Sequence, residues 1–202
     1  MRVVAAFDFD GTLSTRDNVV PFLRAAVGGP RLVAGLVATA PRLVAAALDD
    51  GRRDRAKAAL VRRLLTGYET ARLTGIAEQF ADDVVEHHLR ADAVERAEWH
   101  RNQGHELVMV SASFAVYLEP VARRLAFDAA LATELETSTD GRLTGRLLGA
   151  NVRRAEKVRR LDDWLGDRPA IVWAYGDSTG DRELFERADH AVRVSGRGSF
   201  RA

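Results

Sequence analysis

A chain of 202 residues without a single cysteine excludes thiol catalysis, zinc ribbons, iron-sulfur clusters and disulfide scaffolds, and is long enough to bury a core unaided. Its 30 basic and 29 acidic residues leave a net charge of +1, too balanced for binding along a nucleic-acid backbone. Hydrophobic and charged shares of 47% and 29% belong to a folded chain rather than a disordered one.

In chain order, the first expected element is a strand over residues 3–9. This apolar run is short and ends in acid, unlike the hydrophobic stretch of a secretory signal, so a cytoplasmic location is expected. From Asp17 to about Ala91 there is only helical periodicity: Ala56, Leu60, Leu64 and Leu65 share a stripe, with Arg52, Arg55, Arg62 and Arg63 off it. Ser14-Thr15-Arg16-Asp17 has the capping-box pattern of a helix start. The run Leu32 to Leu48 is short of the ~20 apolar residues of a membrane span and carries Pro41 and Arg42 near its middle. It is expected to form two helices meeting at the proline, with a buried face as its use and a membrane surface as the rival.

A second strand is expected at residues 107–110. A hairpin follows, from Ala130 to Glu136 and Arg142 to Leu148, turning through Asp140-Gly141, where glycine supplies positive φ. Ala155, Val158, Leu161 and Leu165 then share a helix face, and Gly166 ends it. Strands are expected again at residues 171–175 and, more weakly, 191–194. Between them Ser178 and Asp181 form a second capping-box pattern. The tail from Val194 to Ala202 is expected to fray. Short apolar strands separated by helices indicate an α/β fold, Rossmann-like, with a parallel sheet covered on both faces and a helical insertion after the first strand.

Three of these strands end in polar residues: Asp8-Phe9-Asp10-Gly11-Thr12, Ser111-Ala112-Ser113, and Gly176-Asp177-Ser178-Thr179-Gly180-Asp181. In an open parallel sheet the carboxyl ends of the strands line a ligand crevice. Carboxylates gathered there stay ionised when a cation sits between them, and an all-oxygen donor set suits Mg2+ with a phosphate ester as substrate.

DFDGT at Asp8 to Thr12, VMVS ending at Ser111, the lysine of AEKVRRL at Lys157, and GDSTGD from Gly176 resemble, in order and spacing, the four motifs of the haloacid dehalogenase superfamily of phosphatases. The helical insert resembles the cap of its phosphoserine phosphatase-like branch, and the likeness spans nearly the whole chain. The resemblance implies that Asp8 is the nucleophile and Asp10 the general acid and base. It also implies that Ser111 and Lys157 grip the phosphoryl oxygens, and that Mg2+ is held by Asp8, Asp177 and the backbone carbonyl of Asp10. Asp181 supports the metal or Lys157 from behind. Gly11, Thr12 and Ala112 line the substrate, and Asp17 stands where phosphoserine phosphatases carry a glutamate reading the substrate ammonium.

The core is expected over residues 1–16 and 92–202, and the cap over residues 17–91. The partner expected is a small phosphorylated metabolite. Alternatives are a phosphotransferase or mutase, a phosphatase of lipid headgroups drawn to membranes through residues 32–48, and a phosphate-sensing module without turnover; oligomeric state is not legible. Every basic residue except Lys57 and Lys157 is arginine, which hints that those two sites need a compact point charge. The cluster Arg52, Arg53, Arg55, Lys57, Arg62 and Arg63 is expected to be mainly a solvated helix face, with one or two members reading a substrate carboxylate or second phosphate. His87, His88, His100, His105 and His190 show no metal-ligand spacing, and Trp99, Trp164 and Trp173 are expected to pack.

Overall fold

The computed structural model describes residues 1–48 and 50–194; the tail expected to fray lies outside the described residues from 195 on. Strand β1 (Arg2–Phe7) leads into helices α1 (Val19–Val27), α2 (Gly29–Leu48), α3 (Asp50–Leu65), α4 (Thr70–His87) and α5 (Ala91–Asn102). Then come β2 (Glu106–Phe114), α6 (Ala115–Arg124), the hairpin strands β3 (Ala129–Thr137) and β4 (Leu143–Leu148), α7 (Ala155–Leu165) and β5 (Ala170–Gly176). A 3-10 turn at Thr179–Asp181, α8 (Arg182–Arg187) and β6 (His190–Arg193) complete the described fold.

The strands form one six-stranded sheet in the order β4-β3-β2-β1-β5-β6, parallel except where β4 pairs with β3. Residues 4–7 of β1 are wholly buried, as the central strand of a doubly covered sheet requires. Alternation along it serves two layers. Val4 and Ala6 pack with Leu161, Leu165 and Leu184 of α7 and α8, while Ala5 and Phe7 belong to a larger core that continues into Phe22, Leu64, Leu65 and Phe80 of the helical insertion. A buried side chain of this size contributes about 1.5–3 kcal/mol, so the insertion is fixed to the sheet by the same apolar core that forms it.

Register places the site. Phe7 pairs with Met109 on one side and Tyr175 on the other, so the residues just past these three strands meet at one edge.

Two expectations about elements are corrected. Pro41 does not divide α2, which runs through it for 20 residues. Leu32, Gly35 and Thr39 form a buried face against α3, and Gly35 approaches so closely that a Cβ there would lie 2.5 Å from Leu64. Pro41 and Val37, whose carbonyl loses its donor, are both exposed, so water can take that carbonyl and packing outweighs the proline penalty of about 3 kcal/mol. The capping box at Ser14 and Asp17 is also absent: Asn18 is the N-cap of α1, Ser14 Oγ bonds within its own turn, and Asp17 Oδ1 accepts from Val19 N at 3.0 Å. Strand β2 is longer than expected, continuing through Ser111 to Phe114 with a shift of register between them.

Candidate active site

Beyond the carboxyl edge of β1, β2 and β5 lies a cavity of about 310 Å³, lined by Asp8, Asp10, Gly11, Ser111, Lys157 and Asp177 among others. Asp8 follows β1 directly and its backbone N–H donates to Tyr175 O at 2.8 Å, which ties the loop to β5. Gly11 adopts φ +80°, and a Cβ there would lie 2.3 Å from Asp177 Oδ2. A side chain there would displace the Asp177 carboxylate and strain a backbone conformation that favours glycine.

Lys157 reaches this edge from the first turn of α7. The residue before the helix, Arg154, has φ 54°, a conformation that costs on the order of 1–3 kcal/mol away from glycine. It turns the chain so that Lys157 Nζ donates to Asp8 Oδ1 at 2.6 Å and to Asp181 Oδ1 at 2.5 Å, all three groups being buried. Asp181 Oδ2 accepts from the backbone and hydroxyl of Ser178 at 3.1 and 2.9 Å, and Ser178 Oγ accepts from Gly180 N; this is the expected capping box. Both oxygens of Asp181 are therefore engaged by protein donors.

Asp10 is held from three sides. Its Oδ1 accepts from Asn18 N and Nδ2 at 3.0 and 2.8 Å, its Oδ2 from Ser113 Oγ at 2.6 Å, and Tyr117 OH donates to Ser113 Oγ at 2.7 Å. Burial, then the charge of Asp17, push the Asp10 carboxyl up to about 6, against those hydrogen bonds. Asp8 is also pushed up, to about 7, by burial, with Lys157 opposing and Asp181 adding to the rise. Burial alone would lower Lys157; the Asp8 and Asp181 carboxylates outweigh it, and its ammonium is held above the usual range. Asp177, exposed at the mouth, is shifted upward by burial and then by Asp181.

Oxygens of Asp8, Asp177 and Asp181 lie within 4.8 Å of one another. These are hard donors of the kind Mg2+ takes. With Asp181 committed to Lys157 and Ser178, Asp8 and Asp177 are the carboxylates left to face an ion, and the Asp10 side chain, committed to Asn18 and Ser113, is not. The donor set fits the metal.

Most residues singled out in the sequence meet here: Asp8, Asp10, Gly11, Asp17, Ser111, Ala112, Lys157, Asp177 and Asp181 all line the cavity. Thr12 does not. It is wholly buried behind the loop, and its Oγ1 has no hydrogen-bond partner. Asn18, Tyr117 and the donor role of Ser113 toward Asp10 were missed, since their link to Asp10 depends on tertiary approach. Arg16 and Arg153 also line the cavity without having been singled out.

Lys57 departs from the solvated face expected of its cluster. Its Nζ donates to Ala112 O and, at 2.7 Å, to Asn151 Oδ1, and it lies 4.5 Å from the Phe114 ring centre. Asn151 also accepts from Thr133 Oγ1 at 2.9 Å and donates to Asp54 at 2.7 Å. Burial lowers Lys57 to about 8, opposed by Asp10 first among the nearby acids. His100 is buried and bonds His105 and Tyr175 at 2.8 and 2.7 Å, and Trp173 stacks on His190, whereas Trp99 is exposed.

Central strands that deliver acids, and helix α7 that delivers a buried lysine, to one edge of a parallel sheet place the site where α/β enzymes bind their ligands. The family model described as haloacid dehalogenase-like hydrolase matches residues 5–186, and the chain belongs to that family. It is 39% identical over 187 residues to Protein CicA of Caulobacter vibrioides, a match spanning 93% of this chain and 83% of that one. It is 31% identical over 199 residues to the phosphoserine phosphatase SerB2 of Mycobacterium tuberculosis, spanning 96% of this chain and 44% of the relative. Among solved structures, a protein of unknown function from Bordetella pertussis Tohama I superposes with a TM-score of 0.74 at 27% identity, over 96% of this chain and 90% of the other. The chain is thus phosphatase-like in sequence as well as in fold, as its motifs implied.

Proposed function

We propose that the protein is a Mg2+-dependent phosphatase of the cytoplasm, hydrolysing a small phosphate monoester through an aspartyl-phosphate on Asp8, with residues 17–91 acting as a cap over residues 1–16 and 92–202. The observation that carries this reading is the convergence of Lys157 on Asp8 across 149 residues of sequence, beside Asp10 and Asp177. A phosphoserine-like ester is the first candidate, supported by the likeness to a phosphoserine phosphatase.

In the first step Asp8 attacks phosphorus as the bond to the leaving oxygen breaks, and Asp10 gives that oxygen its proton. A carboxyl pushed up to about 6 holds a proton in part of the protein near neutrality, as a general acid must. In the second step Asp10, now ionised, takes a proton from the water that cleaves the acyl phosphate and restores Asp8. Lys157 provides a fixed positive charge where phosphoryl charge shifts, and Ser111 lines the same cavity as a hydroxyl donor. Asp8, Asp177 and the Asp10 carbonyl would hold Mg2+, which supplies positive charge between the nucleophile and an anionic substrate.

Turnover in heavy-oxygen water tests the reading. Label in released phosphate, loss of activity in EDTA with recovery on adding Mg2+, and a fall of about a thousandfold or more for Asp8→Asn are expected. Transfer of phosphate to an added alcohol in preference to water would make it a phosphotransferase, and an Asp8→Asn protein that still turns over would sink the nucleophile assignment.

A further inference from the structure

Helix α2 has two unlike faces. Leu32, Gly35 and Thr39 are buried against α3, whereas Val33, Val37 and Val44 are 58%, 69% and 66% exposed. Steps of four and seven residues bring these valines onto one line of the helix, and Ala34, Ala38 and Pro41 beside them are exposed as well. Single exposed apolar side chains are ordinary, while a row of them marks a contact surface. Of the seven large apolar side chains exposed among the described residues, three form this row. Helix α2 contains no acid.

Arginine borders the row on one side. Ala38 and Arg42 of α2 line a groove of about 1100 Å³ between α2, α3 and β4, together with Arg55, Arg62 and Arg63 of α3. Elsewhere the chain pairs arginine with acid, as in Arg2 with Glu106, Arg124 with Glu78 and Arg187 with Asp162. Arg42, Arg55, Arg62 and Arg63 are exposed and pair with no carboxylate among the described residues, and Asp54, the acid in the lining, is turned to Asn151. A second copy of the chain docked on this face would bring these like charges together, and an uncharged apolar segment would leave them unanswered. An anionic bilayer answers both halves, its phosphates taking the arginines and its headgroup–acyl boundary taking the valines. No helix among the described residues is long and apolar enough to cross a membrane, so α2 would lie on the leaflet.

We propose that this face of α2 and the arginines beside it form a docking surface for an anionic membrane leaflet. The groove shares no lining residue with the catalytic cavity. The proposal therefore concerns where the protein works and not which ester it takes, and it stands or falls apart from the catalytic reading.

Flotation of the full chain with vesicles tests it. Vesicles of equal parts phosphatidylglycerol and phosphatidylcholine are expected to bind at least about tenfold more tightly than vesicles of phosphatidylcholine alone, since each arginine near an anionic leaflet is worth about fivefold. Phosphatidylglycerol is a phosphodiester, so its binding does not read the monoester site. The preference should shrink as salt is raised. It should be lost both in the Val37→Glu/Val44→Glu protein and in the Arg42→Gln/Arg62→Gln/Arg63→Gln protein. Thermal midpoint and turnover of hexyl phosphate, followed alongside, separate lost docking from lost folding. The chain has no cysteine, so Val37→Cys takes a single polarity-sensitive dye. Its emission should move to the blue on anionic vesicles, while the same dye at Glu186→Cys on α8 should not change. Equal binding to both vesicle types, a preference that either variant leaves intact, or a dye at Val37→Cys that stays in water overturns the proposal. So does an arginine-dependent grip on polyglutamate or an oligonucleotide without binding of the vesicles, and so does a dimer that Val37→Glu abolishes.

Discussion

At the carboxyl edge of the sheet Lys157 is buried between Asp8 and Asp181, while in the groove beyond Lys57 a set of arginines stands in water without an acid to answer it. The first arrangement is costly to assemble. Charges taken out of water repay their desolvation only when each is met by a partner at close range, and the raised Asp8 and Asp10 carboxyls show the repayment to be incomplete. The second costs the fold little, because an exposed guanidinium keeps its hydration until a ligand arrives. Stability is therefore spent on the buried charges at the sheet edge and not on the exposed arginines.

The sharpest way to break this contrast is Lys157→Met. With its cation gone, the Asp8 and Asp181 pair is left buried and unanswered, and urea denaturation should show a loss of about 3–5 kcal/mol; a loss below about 1 kcal/mol would mean that the trio is not truly dry. Next is Asp10→Asn, measured in EDTA. A carboxyl whose folded value lies near 6 rather than near 3.8 binds its proton more tightly folded than unfolded, so its support is present below pH 4 and lost as pH rises through about 6. The substitution should stabilise the protein at pH 7.5 by no more than about 3 kcal/mol and give no gain near pH 4. A gain independent of pH would remove the electrostatic explanation.

Lys57→Met probes the boundary between the regions. It frees the Ala112 carbonyl and Asn151, and kcat/KM for hexyl phosphate should fall about tenfold, as when a hydrogen-bonded charge near a reacting group is lost. Activity held at the wild-type value would detach Lys57 from the catalytic loop. The smallest effect belongs to Arg62→Gln, which should leave the thermal midpoint almost where it was, a change within about 0.5 kcal/mol. A marked destabilisation there would show that the groove arginines help to hold the fold.

How far the sequence reveals this molecule depends on how local each signal is. The apolar runs of β1 and β5, the Asp140-Gly141 hairpin turn and the Ser178 capping box are all set by neighbours in sequence, and each is found as expected. Asp8, Ser111, Lys157 and Asp177 are legible because strand order turns four distant motifs into one edge. Continuity of α2 through Pro41 depends on Gly35 seating against Leu64, which no window of sequence contains. The same holds for Asn18 and Ser113 on Asp10, and for Lys57, whose partners lie 55 and 94 residues away. Scarcity of lysine was the one hint that Lys57 differs from the arginines around it.

The contact between Gly11 and Asp177 has a bearing on how such a protein can diversify. A side chain at position 11 would have to push the Asp177 carboxylate aside and adopt a backbone conformation that L residues rarely take, so substitutions at that position should lower turnover whatever compound is used for selection. Along α3, by contrast, Arg55, Arg62 and Arg63 are exposed, and side-chain drift there should cost the fold little. Exposed positions of that helix can therefore change while the loop at Gly11 is held by its backbone conformation.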